Sequence, residues 1–204
     1  MYEIGMIIIA FISGSIMYSY LLPKWILKKD IRKGTGDENP GGYNAYLAHK
    51  KLGLFCILLD MLKGFIPMFF FVKKIGLNTP WIFPMLLAPV MGHAFTPFFK
   101  GKGGKALSTA AGTIVGLLPR SLMGLLLLFL ALFFSVVLVI QPFESRVLII
   151  MVVFNLIIMI LHMSTLWVSL GTWGITGILW YKQVEKQLPD HEALSMRAVW
   201  KRGA

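Results

Sequence analysis

Seven apolar stretches run along this chain, at 4–22, 52–72, 80–99, 106–118, 121–140, 147–163 and 165–181, separated by polar or glycine-rich connections. A helix needs roughly 20 apolar residues to cross a bilayer, and most of these stretches approach that length. The pattern predicts an all-α polytopic membrane protein of about seven transmembrane helices, because lipid leaves no other way to satisfy the backbone of a lone apolar segment. The 106–118 stretch is short and Pro119 follows it, so a half-span or a tilted helix there leaves five or six crossings open. The chain divides into a single transmembrane helical domain, 1–181, and a polar tail, 182–204, expected to be partly disordered or an interfacial helix. There is no internal repeat of the kind that marks inverted-repeat transporters.

Composition agrees with the pattern. The chain has 204 residues, 57% of them hydrophobic and 14% charged, and its mean hydropathy of +0.74 lies outside the range of soluble domains. The formal charge of +11 is concentrated in a few connections. It reads as topology plus attraction for anionic lipid or phosphate; no basic-aromatic groove suggests nucleic acid. With the amino terminus outside, the 24–51 connection, the 100–105 loop and the tail fall in the cytoplasm, and only Lys73, Lys74 and Arg120 are left outside. The site is therefore expected on the cytoplasmic face of a cell membrane. Cys56 is the lone cysteine, which excludes an internal disulfide and makes it a small core or lipid-facing side chain. Glu3, with no Lys or Arg before the first apolar stretch, does not make a signal-peptide pattern.

The connections hold the candidate chemistry. The run from Gly92-His93 to Lys102-Gly103-Gly104-Lys105 sets a glycine-rich cationic turn before a helix expected to open at Ala106. Glycines let backbone N–H groups approach an anion, and a helix start adds its dipole, so the turn suits a phosphate. A nucleotide P-loop is excluded, since Phe99 and Ala106 stand where that motif needs Gly and Ser or Thr. A second glycine-rich segment, Gly34-Thr35-Gly36-Asp37-Glu38-Asn39-Pro40-Gly41-Gly42-Tyr43-Asn44, faces the same side. Two such loops could close around a phosphate-bearing ligand. Asp60 and Lys63 lie one helical turn apart inside an apolar stretch, where they either pair structurally or bind ligand. His93 is either a hydrogen-bonded structural residue or a participant in chemistry beside Lys105.

In chain order, Gly14-Ser15-Ile16, Asp30-Ile31-Arg32-Lys33, Asn39 with Gly41 and Asn44, Leu59-Asp60 with Leu62-Lys63-Gly64 and Pro67, Gly92-His93, Lys102-Gly103-Gly104-Lys105, Thr109 and Gly112 resemble the bacterial acyl-phosphate-dependent glycerol-3-phosphate acyltransferases, the PlsY type. The resemblance implies a seven-helix enzyme of phospholipid synthesis. Its cytoplasmic loops would bind acyl phosphate and glycerol 3-phosphate and form lysophosphatidic acid, with no metal or other cofactor. It implies phosphate binding by Lys102, Gly103, Gly104 and Lys105, the two glycines through their backbone amides. Catalytic roles would fall to Thr35, Asp37, His93 and Lys105, and substrate contacts to Ser15, Asn39, Asn44, Asp60 and Lys63. The hydroxyl of the family's Gly-Ser-Gly-Asn loop is matched either by Thr35 or by Asp37, and the two readings differ in whether a hydroxyl is kept.

The chain departs from the family pattern elsewhere. Tyr43 replaces a Thr, Leu47 replaces an Arg with His49, Lys50 or Lys51 as neighbours, and Gln183-Val184-Glu185-Lys186 replaces a late His-Arg-Glu-Asn. A non-catalytic relative that keeps the phosphate cradle as a regulator or scaffold is the alternative. A transporter fits the glycine loops less well.

Overall fold

The computed structural model describes residues 1–33, 37–185 and 195–198. The first apolar stretch is two helices, α1 (Tyr2–Ser15) and α2 (Tyr18–Ile26), bent by 41° across Ile16 and Met17. A short α3 (Gly42–Ala48) leads through His49 into the long α4 (Lys50–Lys74), whose first turn is capped by His49 Nδ1 accepting from Leu52 N–H at 3.2 Å. Then come α5 (Ile82–Ala94), a 3-10 turn (Pro97–Phe99), α6 (Leu107–Val115), α7 (Met123–Leu132), α8 (Phe143–Ile160) and α9 (Leu166–Glu185).

Connectivity sorts the loops into two ends. At one end the Lys74 ammonium lies 3.7 Å from the Tyr2 ring, and the Thr165 hydroxyl donates to Leu77 O at 3.4 Å. The other end gathers the 27–33 and 37–41 segments with α3, the 95–106 loop, the last turn of α9, and a two-stranded antiparallel pairing. That pairing runs between β1 (Leu138–Gln141) and β2 (Ser195–Ala198), with Leu138 opposite Ala198. The tail, expected as disorder or an interfacial helix, thus contributes a strand that ties it to the connection before α8.

Glycine seams hold the helices together. A Cβ on Gly14 would lie 2.1 Å from Pro89 O and one on Gly92 2.2 Å from Phe11 O, so α1 and α5 meet backbone to backbone. Gly112 against Met61 O, at 1.9 Å, does the same for α6 on α4. Without a hydrophobic drive between helices in lipid, such close approach is what binds them. The main core includes Met68, Phe71, Leu86, Ile114, Phe154 and Ile175, and Cys56 is buried in a second cluster with Met17, Tyr20, Ile31 and Ala45. The exposed faces are equally apolar, with Ile8, Leu58, Phe70, Leu125, Phe129, Leu156 and Trp180 all uncovered. Apolar inside and outside is the signature of a bilayer protein. Among the described residues, Lys50–Lys74 and Ile82–Phe99 are long and apolar enough to cross a membrane, and α1 with α2 is a third if the bent pair is one span; Met123–Val137 and Ser145–Ile160 are apolar but shorter.

Candidate functional site

The two glycine-rich loops meet. Lys105, 68 residues beyond Asp37 in sequence, places its Nζ 3.0 Å from Asp37 Oδ2, with the two side chains only 9% and 13% exposed. The other carboxylate oxygen, Oδ1, accepts from Asn39 N–H at 3.1 Å and from Asn44 Nδ2 at 3.0 Å. Asn44 Nδ2 also donates to Asn39 O at 2.8 Å, so α3 is pinned to the loop that precedes it. Burial alone would raise the Asp37 carboxyl, but its hydrogen bonds from Asn44, Lys105 and Asn39 outweigh that and hold it below the ordinary carboxylate value. Asn39 Oδ1 is buried and has no hydrogen-bond partner among the described residues. Thr35 lies outside the described residues.

His93 is buried at the end of α5. Its Nδ1 lies 3.2 Å from Thr109 Oγ1, and Thr109 gives its single hydroxyl proton to Asp60 O at 3.0 Å. Nδ1 is therefore the donor, which makes Nε2 the acceptor nitrogen of the neutral ring. Nε2 faces Gly104, where an added Cβ would sit 2.4 Å away, and Asn39 Oδ1 is 3.4 Å from the same point.

The glycine turn differs from the sequence reading in one respect that matters chemically. The amides of Gly103 and Gly104, expected to hold phosphate oxygens, donate instead to Ala94 O and His93 O, both at 3.1 Å. The end of α5 leaves carbonyls without intrahelical partners, and this turn satisfies two of them. Close approach is why glycine stands there: a Cβ on Gly103 would be 1.9 Å from His93 O. Lys102 is exposed on the turn, and α6 starts at Leu107 after Ala106 in the left-handed region, φ 60°.

Asp60, Lys63 and Ser15 belong to a separate network. Lys63 Nζ lies 2.9 Å from Asp60 Oδ1 and donates to Ile16 O, a carbonyl freed by the break between α1 and α2. Ser19 Oγ donates to Asp60 Oδ2, and Thr96 Oγ1 to Ser15 O at 2.9 Å. The Ser15 hydroxyl itself turns back to Phe11 O at 2.8 Å. Among the described residues, the Asp60 and Lys63 side chains make their bonds at this break. Thr109 is the link, touching both His93 and the Asp60 backbone.

Sequence reasoning missed three features. Arg32 grips Asp30 through Nε at 3.0 Å and Nη2 at 2.7 Å while its guanidinium stacks 4.4 Å from the Tyr20 ring. Hydrogen bonding from Arg32 lowers the Asp30 carboxyl to about 2. Lys182, assigned to the polar tail, is fully buried on α9; it pairs with Glu185 and stands 5.2 Å over the Phe95 ring. Next to it Gln183 is buried with neither Nε2 nor Oε1 partnered among the described residues. A signal was available. The buried positions of α9, Val168, Gly171, Thr172, Ile175, Thr176 and Leu179, recur at helical spacing, and the same stripe extended lands on Lys182 and Gln183. Leu47, where the resemblance expects Arg, is exposed.

Glycerol-3-phosphate acyltransferase of Geobacter sulfurreducens is 37% identical over 129 residues, 63% of this chain and 65% of that protein. Glycerol-3-phosphate acyltransferase 1 of Thermotoga maritima is 42% identical over 110 residues, 52% and 53% of the two chains. The match with these relatives thus spans between half and two thirds of their length. The crystal structure of PlsY, an integral membrane glycerol 3-phosphate acyltransferase, in its glycerol 3-phosphate form superposes with a TM-score of 0.78 at 26% identity, covering 91% of this chain and 90% of that one. Its lysophosphatidic acid form gives 0.76, over 91% and 89%. The family model for glycerol-3-phosphate acyltransferase matches residues 4–187, which takes in both loops and all of the helices but the first two residues of α1, and the chain belongs to that family.

Proposed function

We propose that this chain moves an acyl chain from acyl phosphate to glycerol 3-phosphate, forming lysophosphatidic acid at the cytoplasmic face of a bacterial cell membrane. The observation that carries the reading is the buried Lys105 ammonium where two glycine-rich loops meet at one end of an apolar helix bundle. In this reading the helical stretches make seven crossings, residues 1–181 form the membrane domain and the remainder is cytoplasmic.

The chemistry asks little of the protein beyond placement and charge. The acceptor's 1-hydroxyl oxygen forms a bond to the acyl carbonyl carbon, the bond from that carbon to the phosphate oxygen breaks, and phosphate leaves with the electron pair. Lys105 stabilises the phosphate charge, Lys102 adds long-range attraction at the mouth, and His93 Nε2 and Asn39 Oδ1 offer acceptors for a substrate hydroxyl. The hydroxyl proton passes to a substrate phosphate oxygen. The acyl tail lies among membrane lipids along the outer helix faces.

The purified protein in detergent or lipidic phase should release phosphate from palmitoyl phosphate only when glycerol 3-phosphate is present, with lysophosphatidic acid formed in equal amount. Release without the acceptor would mark a hydrolase. A protein that is stabilised thermally by palmitoyl phosphate but makes no product would be a non-catalytic binder. In the enzymatic reading Thr35→Val lowers product formation more than tenfold, about 1.4 kcal/mol of transition-state stabilisation. Unchanged turnover would take the hydroxyl of Thr35 out of the mechanism.

A further inference from the structure

Asp37 sits where an anionic ligand would be expected. Its two carboxylate oxygens collect an ammonium from Lys105, an amide from the Asn44 side chain and a backbone N–H from Asn39. These donors come from three places: the loop before α6, α3, and the 37–41 loop itself. A buried cation with converging N–H groups is the donor set by which proteins hold phosphate oxygens. Here an internal carboxylate has it.

Two chemical roles could follow, and the geometry separates them. A general base needs a lone pair free to take a proton from the acceptor hydroxyl. Three donors already converge on the Asp37 oxygens, and those bonds hold the carboxyl below its ordinary value, which makes it a weak base. A counter-ion, in contrast, is served by this arrangement. A phosphate that came to Lys105 while Asp37 stayed in place would set two anions side by side in a mostly buried site.

The geometry points to Asp37 as a resident anion that occupies the Lys105 cradle in the empty protein and that a phosphate-bearing ligand displaces. The inference rests on the reading of Lys105 as the phosphate site. It makes Asp37 a specificity element: its carboxylate balances the Lys105 charge, and only a ligand that outbids a carboxylate for the ammonium and the two N–H groups takes its place.

The test is calorimetric binding of glycerol 3-phosphate and of inorganic phosphate to the full chain in detergent, for wild type, Asp37→Asn, Asp37→Ser and Glu38→Gln. Thermal unfolding of each variant without ligand checks that it is folded. With the resident anion removed, both Asp37 variants should bind both ligands at least tenfold more tightly, and Glu38→Gln should not. Unchanged or weaker binding in the folded Asp37 variants overturns the inference, as does absence of phosphate binding in every protein. Equal tightening in Glu38→Gln also overturns it, because removal of any nearby negative charge would then suffice. The acyltransferase reading fails separately. Tighter phosphate binding in the Asp37 variants with no acyl transfer by wild type would keep the resident anion and remove the enzyme. Acyl transfer by wild type with no tightening would do the reverse.

Discussion

Two lysine–aspartate pairs of nearly equal length divide this molecule. Lys63 and Asp60 meet at 2.9 Å, Lys105 and Asp37 at 3.0 Å. The first pair lies one turn apart on a single helix, at 2% and 1% exposure, and every further partner named for it is a hydroxyl or carbonyl holding the bend between α1 and α2. The second joins two distant loops at 9% and 13% exposure, beside a buried Asn39 oxygen with no partner among the described residues. Depth and reach distinguish them. The deep pair joins neighbours on one helix and braces a bend, with Asp60 Oδ1 meeting only the Lys63 ammonium among the described residues, and the loop pair joins two distant loops beside an Asn39 acceptor that a ligand can meet.

The comparison is broken most directly at the deep pair. Lys63→Met leaves Asp60 buried without its cation, and denaturant unfolding in detergent should show a loss of about 3–5 kcal/mol. Lys63→Met with Asp60→Leu should recover a large part of that, since replacing both members avoids a stranded charge. If the single variant is as stable as wild type, the deep pair is not what fixes the bend.

At the loop pair the effect moves from stability to binding. Lys105→Ala should weaken glycerol 3-phosphate by roughly tenfold to a hundredfold, about 1.5–3 kcal/mol for a lost charge-assisted contact. It should leave the unfolding midpoint far closer to wild type than Lys63→Met does. Isothermal titration beside thermal unfolding reads both quantities.

The smallest effect sharpens the contrast with an ordinary surface pair. Asp30, held to about 2 by Arg32 against a usual 3.8, has a folded value below its unfolded one. Its contribution is therefore complete above about pH 4 and is lost as the pH falls toward 2. Arg32 is 36% exposed, so solvent screening limits that contribution to about 1 kcal/mol. Asp30→Asn should remove this part of the acid sensitivity between pH 4 and pH 2, measured as the pH slope of the unfolding free energy.

Much of the bundle was written in local pattern. The apolar stretches at 147–163 and 165–181 appear as α8 and α9 with shifted ends, and the charge asymmetry gathers the basic loops at one end. The bend after Ser15 was not legible. Ile16 and Met17 carry no helix breaker, and the carbonyls freed there are met by Lys63 and Thr96, residues far away in sequence. The engagement of Gly103 and Gly104 with their neighbours was not legible for a related reason. Glycine spacing reports that a backbone must come close to something, and only the fold shows that the partner is the end of α5. Lys105 was legible from its motif. Its engagement with Asp37 was not, because the distance between two loops is a tertiary fact.

Thr109 has one proton to give, and it gives it to a carbonyl of α4. The tautomer of His93, on α5, is thereby decided by how α6 is seated against α4. The imidazole works as a gauge of helix packing: nitrogen-15 signals from the His93 ring would report, without any substrate, whether those two helices are in register.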